Sequence, residues 1–269
     1  MSPPPIVVAG ATGSIGRALT ARLRAEGRHG IGVSRTTAAR HDIRLDLTTP
    51  PSSWPAWPAA DVTYICIGAG GLDACELDPV GTRRVHVDAV AAVAHHASAA
   101  GSRVVFLSSS HVSGETVYGR QKAEAELAVL SRPGAAVLRC SKIVGSGDAR
   151  LTAWRTALLA GRSIEAFDDL HVAPLWIGDA VTALIDVGDA GEPGIFQLTG
   201  RETTYFAMAV ALAGHLGVDA SLVVPASAQT AGVPPSFRPR GVVLEQVLPR
   251  PIDVAPLDVV VARATSFTP

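Results

Sequence analysis

The chain has 269 residues, 48% of them hydrophobic and 17% charged, with a formal net charge of −1. That length buries one sizeable core but is short for two independent domains, and Arg residues scattered among acids offer no basic stripe for nucleic acid. No apolar run approaches the ~20 residues of a membrane span, and residues 1–5, Met-Ser-Pro-Pro-Pro, lack the basic and apolar regions of a signal peptide.

The three cysteines, Cys66, Cys75 and Cys140, are odd in number and widely spaced, which suits reduced cytoplasmic thiols. The eight His residues show no metal spacing: His95 and His96 are adjacent, so on a helix they do not share a face.

In chain order, Ile6-Val7-Val8-Ala9 reads as a buried strand that runs into Gly10-Ala11-Thr12-Gly13-Ser14-Ile15-Gly16, followed by the helical pattern Ala18, Leu19, Ala21, Leu23. Gly10 suits the tight turn, Gly13 lets backbone N–H groups approach a pyrophosphate, and Gly16 lets helix and strand pack closely. Thr12, Ser14 and Ile15 would line the phosphates at the helix N-terminus. A purely structural turn is the plainer alternative.

The second strand, Gly30 to Val33, ends in Ser34-Arg35. An NAD site usually has an acid here to hold the ribose 2′-hydroxyl, and none is present. Ser34 as donor, Arg35 as clamp and Arg17 as a second cation favour NADP(H), with NAD(H) remaining open. Asp46 and Leu47, after a short third strand, would meet the adenine edge. Residues 49–58, with four prolines, read as a surface loop.

The alternation continues with a strand over 61–67, a long Ala-rich helix over 79–100, a strand over 103–107, a helix over 117–130 and a strand over 135–139. This is the pattern of an α/β, Rossmann-type doubly wound parallel sheet, whose ligands lie at the carboxyl ends of the strands. Ile67 and the small residues Gly68 and Ala69 end the fourth strand and would admit a nicotinamide ribose. Ser108-Ser109-Ser110 end the fifth, where a hydroxyl would hold a carbonyl oxygen; three serines also simply terminate a strand.

Tyr118 and Lys122 lie one helical turn apart, in a chain with only three Tyr and two Lys. A Lys beside a Tyr helps to lower the phenol pKa, which suits a general acid acting on a carbonyl. An exposed amphipathic helix with an incidental aromatic is the bland alternative.

Together the glycine turn, a Ser ending strand five and the Tyr118–Lys122 pair resemble the extended short-chain dehydrogenase/reductase family, over nearly the whole chain. Within it, the stretch from Tyr118 to Glu126 is similar to the nucleotide-sugar 4-ketoreductases typified by dTDP-4-dehydrorhamnose reductase. So are the stretches 74–79, 174–179 and 194–200, and Arg250-Pro251 followed by Leu257-Asp258.

The resemblance implies that Tyr118 is the acid, that Lys122 binds the nicotinamide ribose and tunes Tyr118, and that Ser109 polarises the carbonyl. Ser109 is preferred to Ser110 because it lies three residues before Val112, as the family hydroxyl does before its Val. Ser110 and His111 would face the substrate. It also implies an NADP-binding domain of residues 1–145 plus 170–199, and a small C-terminal substrate-binding lobe of 146–169 plus 200–269. That lobe would grip a nucleotide diphosphate, with Arg150, Arg155, Arg201, Arg238 and Arg250 as candidates. Asp179 reads as a helix N-cap.

Three departures stand out: a short Ser109–Tyr118 connection, a glycine-rich end to strand four, and His86 where the family usually has Asn. The expected activity is NADPH-dependent reduction of a keto-sugar. The alternatives are a redox-neutral NAD-dependent epimerase or dehydratase and a non-catalytic NADPH sensor. The expected partners are a small-molecule substrate and, through the helices from Pro79 and Val117, a second copy of the chain; no metal is expected.

Overall fold

The computed structural model describes residues 5–36, 42–113, 115–238 and 243–266. Residues 1–4 of the proline-rich first stretch, and Gly114 in the short connection, lie outside the described residues. Two compact units emerge. One comprises Met1–Arg139, Val181–Gln197 and Gln246–Pro251; the other comprises Cys140–Ala180, Leu198–Glu245 and Ile252–Pro269.

The elements of the first stretch are β1 (Ile6–Ala9), α1 (Ser14–Ala25), β2 (Gly30–Ser34), β3 (Ile43–Arg44), β4 (Val62–Ile65), α2 (Leu72–Leu77), α3 (Pro79–Arg83), α4 (Val90–Ala99), β5 (Arg103–Ser109), α5 (Val117–Leu130) and β6 (Ala136–Cys140). There follow β7 (Ile143–Val144), α6 (Ala149–Leu159), β8 (Ile164–Phe167), β9 (His171–Val172), β10 (Leu175–Trp176), α7 (Ile177–Ala190), β11 (Gly194–Leu198), β12 (Thr203–Thr204), α8 (Tyr205–Leu216), β13 (Val223–Ala226) and α9 (Leu257–Thr265).

Seven strands form one sheet in the order β11-β6-β5-β4-β1-β2-β3. β1 pairs in parallel with both β2 and β4, in the registers Ile6↔Gly30 and Ile6↔Val62. The strand order therefore reverses beside β1, and the crevice of a doubly wound sheet opens at the carboxyl ends of β1 and β4. Strands β1 and β4 are buried at every residue, as parallel strands covered on both faces must be.

The core of this unit joins Val7, Ile65, Phe106 and Val137 of the sheet to Val90, Val93 and Ala97 of α4 and Ala125 and Val129 of α5. The Ala residues let the helices lie close to the sheet. Trp54 and Trp57, from the proline-rich loop, also enter this core, so that loop has an irregular backbone but buried anchors.

The single helix expected over 79–100 is instead three pieces: α3, one π-type turn over Arg84–Ala89, and α4. A π turn takes one more residue than an α turn and rotates the side chains that follow it. Period-3.6 patterning does not reveal it.

The second unit carries three two-stranded ladders, β7 with β10, β8 with β13 and β9 with β12. Its core is Leu151, Trp154 and Leu158 of α6, Met208 and Leu212 of α8, and Val260 and Val261 of α9. Asp179 is not the N-cap of α7. It lies inside the first turn, and its carboxylate accepts from the Ala255 N–H at 2.9 Å, tying the approach to α9 onto α7. Among the described residues no helix is long and apolar enough to cross a membrane, and no cluster of His, Cys, Asp or Glu has the makings of a metal site.

Candidate active site

The turn after β1 is built by steric necessity. Gly10 has φ +85°, and a Cβ there would lie 2.6 Å from the Cys66 carbonyl oxygen. A Cβ on Gly16 would strike the Gly10 carbonyl. Gly13 precedes α1 and no side chain caps that helix. The amides at its N-terminus, around Ser14 and Ile15, thus carry no side-chain cap and suit an anion. Thr12 sits in the same turn, and its carbonyl accepts from Arg17 Nη2 at 3.0 Å. Arg17 is therefore folded back on its own turn rather than reaching out as a second phosphate cation.

Beside this turn a cavity of about 470 Å³ is lined by Thr12, Arg35, Thr36, Arg44 and Asp46. Arg44 was not among the residues singled out from sequence. The parallel pairing Ser34↔Arg44 brings it next to Arg35, and its Nε donates to the Arg35 carbonyl at 3.2 Å. Two guanidinium groups at one cavity make a stronger anion site than one.

Ser34 does not contribute in the expected way. It is buried, does not line the cavity, and its hydroxyl donates to the Thr36 carbonyl. The Asp46 carboxylate accepts from both the amide and the hydroxyl of Thr48, which holds it below the usual carboxylate range. Leu47 packs partly against the core.

Ser109 is the last residue of β5, and Tyr118 is in the first turn of α5. Thr116 starts that helix by accepting the Gly119 N–H at 3.0 Å, a cap of the Ser/Thr kind. The Ser109 hydroxyl lies near enough to the Tyr118 phenol to pull its pKa down. His111 joins them: its N–H donates to Ser109 Oγ at 3.2 Å, its Nδ1 lies 3.3 Å from the same oxygen, and its ring meets that of Tyr118 edge-on at 6.2 Å. Ser110 opens the 3-10 turn that carries His111 and is half-buried.

Lys122, one turn along α5, is buried. Its Nζ donates to the Leu107 carbonyl at 3.2 Å, and lies 4.7 Å from the centre of the Phe106 ring and 5.9 Å from that of Tyr118. Burial pushes its pKa down to about 8.

Burial pushes the Tyr118 phenol above its ordinary value, and the principal opposing pull is that of the Ser109 hydroxyl. The expected lowering by Lys122 is not what governs this phenol, because the ammonium is turned to Leu107. A phenol held protonated is suited to give a proton rather than to take one.

β4 ends at Ile65, short of the expected 67; Ile67 is buried two residues beyond it, Gly68 is exposed and Ala69 is half-buried. The Ala69 N–H donates to Nε2 of His86 at 2.9 Å. Burial, then the Lys122 charge, push His86 down to about 4. His95 meets Arg132 at 3.5 Å and the His96 ring packs 5.3 Å from that of Trp54, so neither approaches the site residues. The three cysteines are free thiols.

Of the arginines proposed for a diphosphate, Arg150 lies 4.7 Å from the Tyr205 ring and lines a cavity of about 580 Å³ with Lys142, Asp148, Ala149, Ala153 and Trp154. Arg250 groups with the first unit, where it pairs with Asp186. Arg201 is exposed and 3.8 Å from Asp253. Arg155 and Arg238 are half-buried.

A seven-stranded parallel sheet with a glycine turn after β1, and with Ser, Tyr and Lys gathered near the end of β5, defines the class of extended short-chain dehydrogenase/reductases, which are NAD(P)-dependent oxidoreductases. Residues 4–248 match the family described as RmlD substrate binding domain, and the chain belongs to that family.

It is 29% identical over 273 residues to the dTDP-4-dehydrorhamnose reductase of Streptomyces griseus, covering 91% of this chain and 88% of that one. It is 26% identical over 246 residues to the enzyme of the same name from Mycobacterium tuberculosis, covering 82% and 79%. Among solved structures, the dTDP-4-dehydrorhamnose reductase of Bacillus anthracis in complex with NADP shares the fold with a TM-score of 0.83 at 15% identity, over 97% of this chain and 98% of that one.

Proposed function

We propose that the protein is an NADPH-dependent ketoreductase acting on a keto-sugar, namely a nucleotide-linked 4-keto-6-deoxy sugar, with Tyr118 as the general acid. The observation that carries this reading is the meeting of Ser109, Tyr118 and Lys122, with the phenol held protonated by burial. The names of the relatives support the substrate class.

The glycine turn from Gly10 to Gly16 fits a dinucleotide because a Cβ at Gly10 would strike the Cys66 carbonyl and one at Gly16 the Gly10 carbonyl, so only glycines there allow the tight turn that presents the uncapped N-terminus of α1. Arg35 and Arg44 would hold the 2′-phosphate, with Asp46 and Leu47 at the adenine edge. Ile67, Gly68, Ala69 and Lys122 would border the nicotinamide ribose. Bound NADPH supplies the hydride. Ser109 donates its hydroxyl proton in a hydrogen bond to the substrate carbonyl oxygen, and Tyr118 transfers its phenolic proton to that oxygen as charge develops on it. Ser110 and His111 orient the sugar.

The first unit is assigned to cofactor binding. The second is assigned to the nucleotide diphosphate, through Arg150 and its cavity. We also assign the exposed Leu77, Val80 and Leu127, on α2, α3 and α5, to a homodimer contact.

Reduction of a dTDP-linked 4-keto-6-deoxy sugar, followed by loss of NADPH absorbance, tests the reading. Tyr118→Phe is expected to keep cofactor affinity and lose turnover by roughly 10²–10⁴-fold. Unchanged turnover would remove Tyr118 from the role of acid.

A further inference from the structure

We infer that His86 is a positioning residue that ties the turn after β4 to the helix carrying Tyr118 and Lys122, so that cofactor contact and proton donor are held in one frame. The inference rests on the ketoreductase reading for the meaning of the two ends it joins, but the link itself is a matter of hydrogen bonds.

His86 is fully buried, in the π turn between α3 and α4. A backbone N–H can only donate, so the Ala69 amide, 2.9 Å from Nε2, requires that nitrogen to be the bare acceptor. The ring proton then lies on Nδ1, which faces Gln121 Oε1 at 3.0 Å and donates to it, with the Cys75 Sγ a longer contact of the same nitrogen at 3.7 Å. Gln121 in turn gives its amide protons to the Pro79 carbonyl at 2.9 Å and to Thr82 Oγ1 at 3.1 Å.

Every donor and acceptor in this chain has one consistent direction, with a single tautomer and a single amide orientation. The path runs from Ala69, in the turn that borders the proposed nicotinamide ribose site, through His86 to Gln121, the residue before Lys122. The His86 ring also stands edge-on to the Tyr118 ring at 5.5 Å and 83°, a favoured aromatic geometry. One side chain thus touches the cofactor turn by one nitrogen, the catalytic helix by the other, and the phenol by its edge.

The π turn gives the local structure a purpose. Such turns mark places where a side chain is re-aimed at functional expense to helix regularity, and here the re-aimed residue is His86. Because burial keeps the ring neutral, the link holds across the working pH range and is not a switch.

Two near-isosteric replacements separate its two bonds. Asn places an amide nitrogen where Nδ1 stands, so His86→Asn retains the bond to Gln121 and releases Ala69. Gln places an oxygen near Nε2, so His86→Gln retains Ala69 and releases Gln121. His86→Asn is expected to weaken NADPH binding about tenfold with kcat within about twofold, and His86→Gln to lower kcat about tenfold with binding within about twofold, each the cost of one hydrogen bond.

Equal loss of both quantities in both variants would make His86 a mere core residue and overturn the inference. Nitrogen NMR of the wild-type imidazole needs no variant to fold: a protonated Nδ1 and bare Nε2 from about pH 5 to 8 supports the link, and the opposite tautomer overturns it. A wild-type protein that binds neither NADPH nor NADH would overturn the ketoreductase reading, while the tautomer would still report on the bond to Ala69.

Discussion

The Lys122 ammonium is turned to the Leu107 carbonyl, 3.2 Å away, while its nitrogen lies 5.9 Å from the centre of the Tyr118 ring. A buried cation with one carbonyl partner is poorly compensated, and its pKa of about 8, against 10.5 when solvated, expresses that cost. The folded pKa lies below the unfolded one, so the cost is present in full below about pH 8 and is relieved as the pH rises towards 10.5. Lys122→Met is therefore expected to abolish turnover yet raise unfolding stability at pH 7 by about 1–3 kcal/mol. Denaturant titrations at pH 7 and pH 10 should show the gain shrinking at the higher pH.

Arg35 and Arg44 face one cavity. Arg35→Ala and Arg44→Ala should each weaken NADPH binding by about 1–2 kcal/mol and leave NADH binding nearly unchanged, since only the 2′-phosphate is lost as a partner. Calorimetric titration of both cofactors measures this, and an equal loss for NADH would place the arginines elsewhere.

Tyr64 is fully buried in β4, with a hydroxyl that has no hydrogen-bond partner among the described residues. Tyr64→Phe should leave stability unchanged or raise it by up to about 1 kcal/mol, because an unpaired buried polar group costs more than its absence. Gly188→Ala should do the opposite, as its Cβ would strike that hydroxyl and lie 2.8 Å from Cζ of the ring. Thermal unfolding of the two variants decides it.

Asp169 accepts from the Ser227 hydroxyl at 2.7 Å and from the Ala228 and Gln229 amides at 2.6 and 3.2 Å, which holds it down to about 2 against the usual 3.8. The folded pKa is the lower one, so this contribution is present above pH 3.8 and is lost as the pH falls towards 2. Asp169→Asn should be less stable than wild type at pH 7, and the difference should close below pH 3. A difference that persists at pH 2 would contradict the assignment.

The glycine turn and α5 are legible because each rests on local rules: a turn that only Gly can make, and an unbroken run of helix formers from Gln121 to Leu130 behind a Thr cap. What stayed hidden depends on pairing or burial. Arg44 becomes a neighbour of Arg35 only through a two-residue strand too short to carry a period. Ser34 and Arg17 have the right chemistry, but nearby carbonyls take their donors first. His86 was visible as an oddity, yet its two bonds required the π turn. The phenol of Tyr118 is raised by burial, a quantity that a sequence does not display.

The most direct test of the account is titration of the purified protein with NADPH and NADH, together with release and identification of any nicotinamide that copurifies. Weak, exchangeable binding that favours NADPH, with the preference lost in Arg35→Ala and Arg44→Ala, is the predicted result. Tightly retained NAD, with no preference for the phosphorylated cofactor, would contradict it and point to an enzyme that recycles its own hydride.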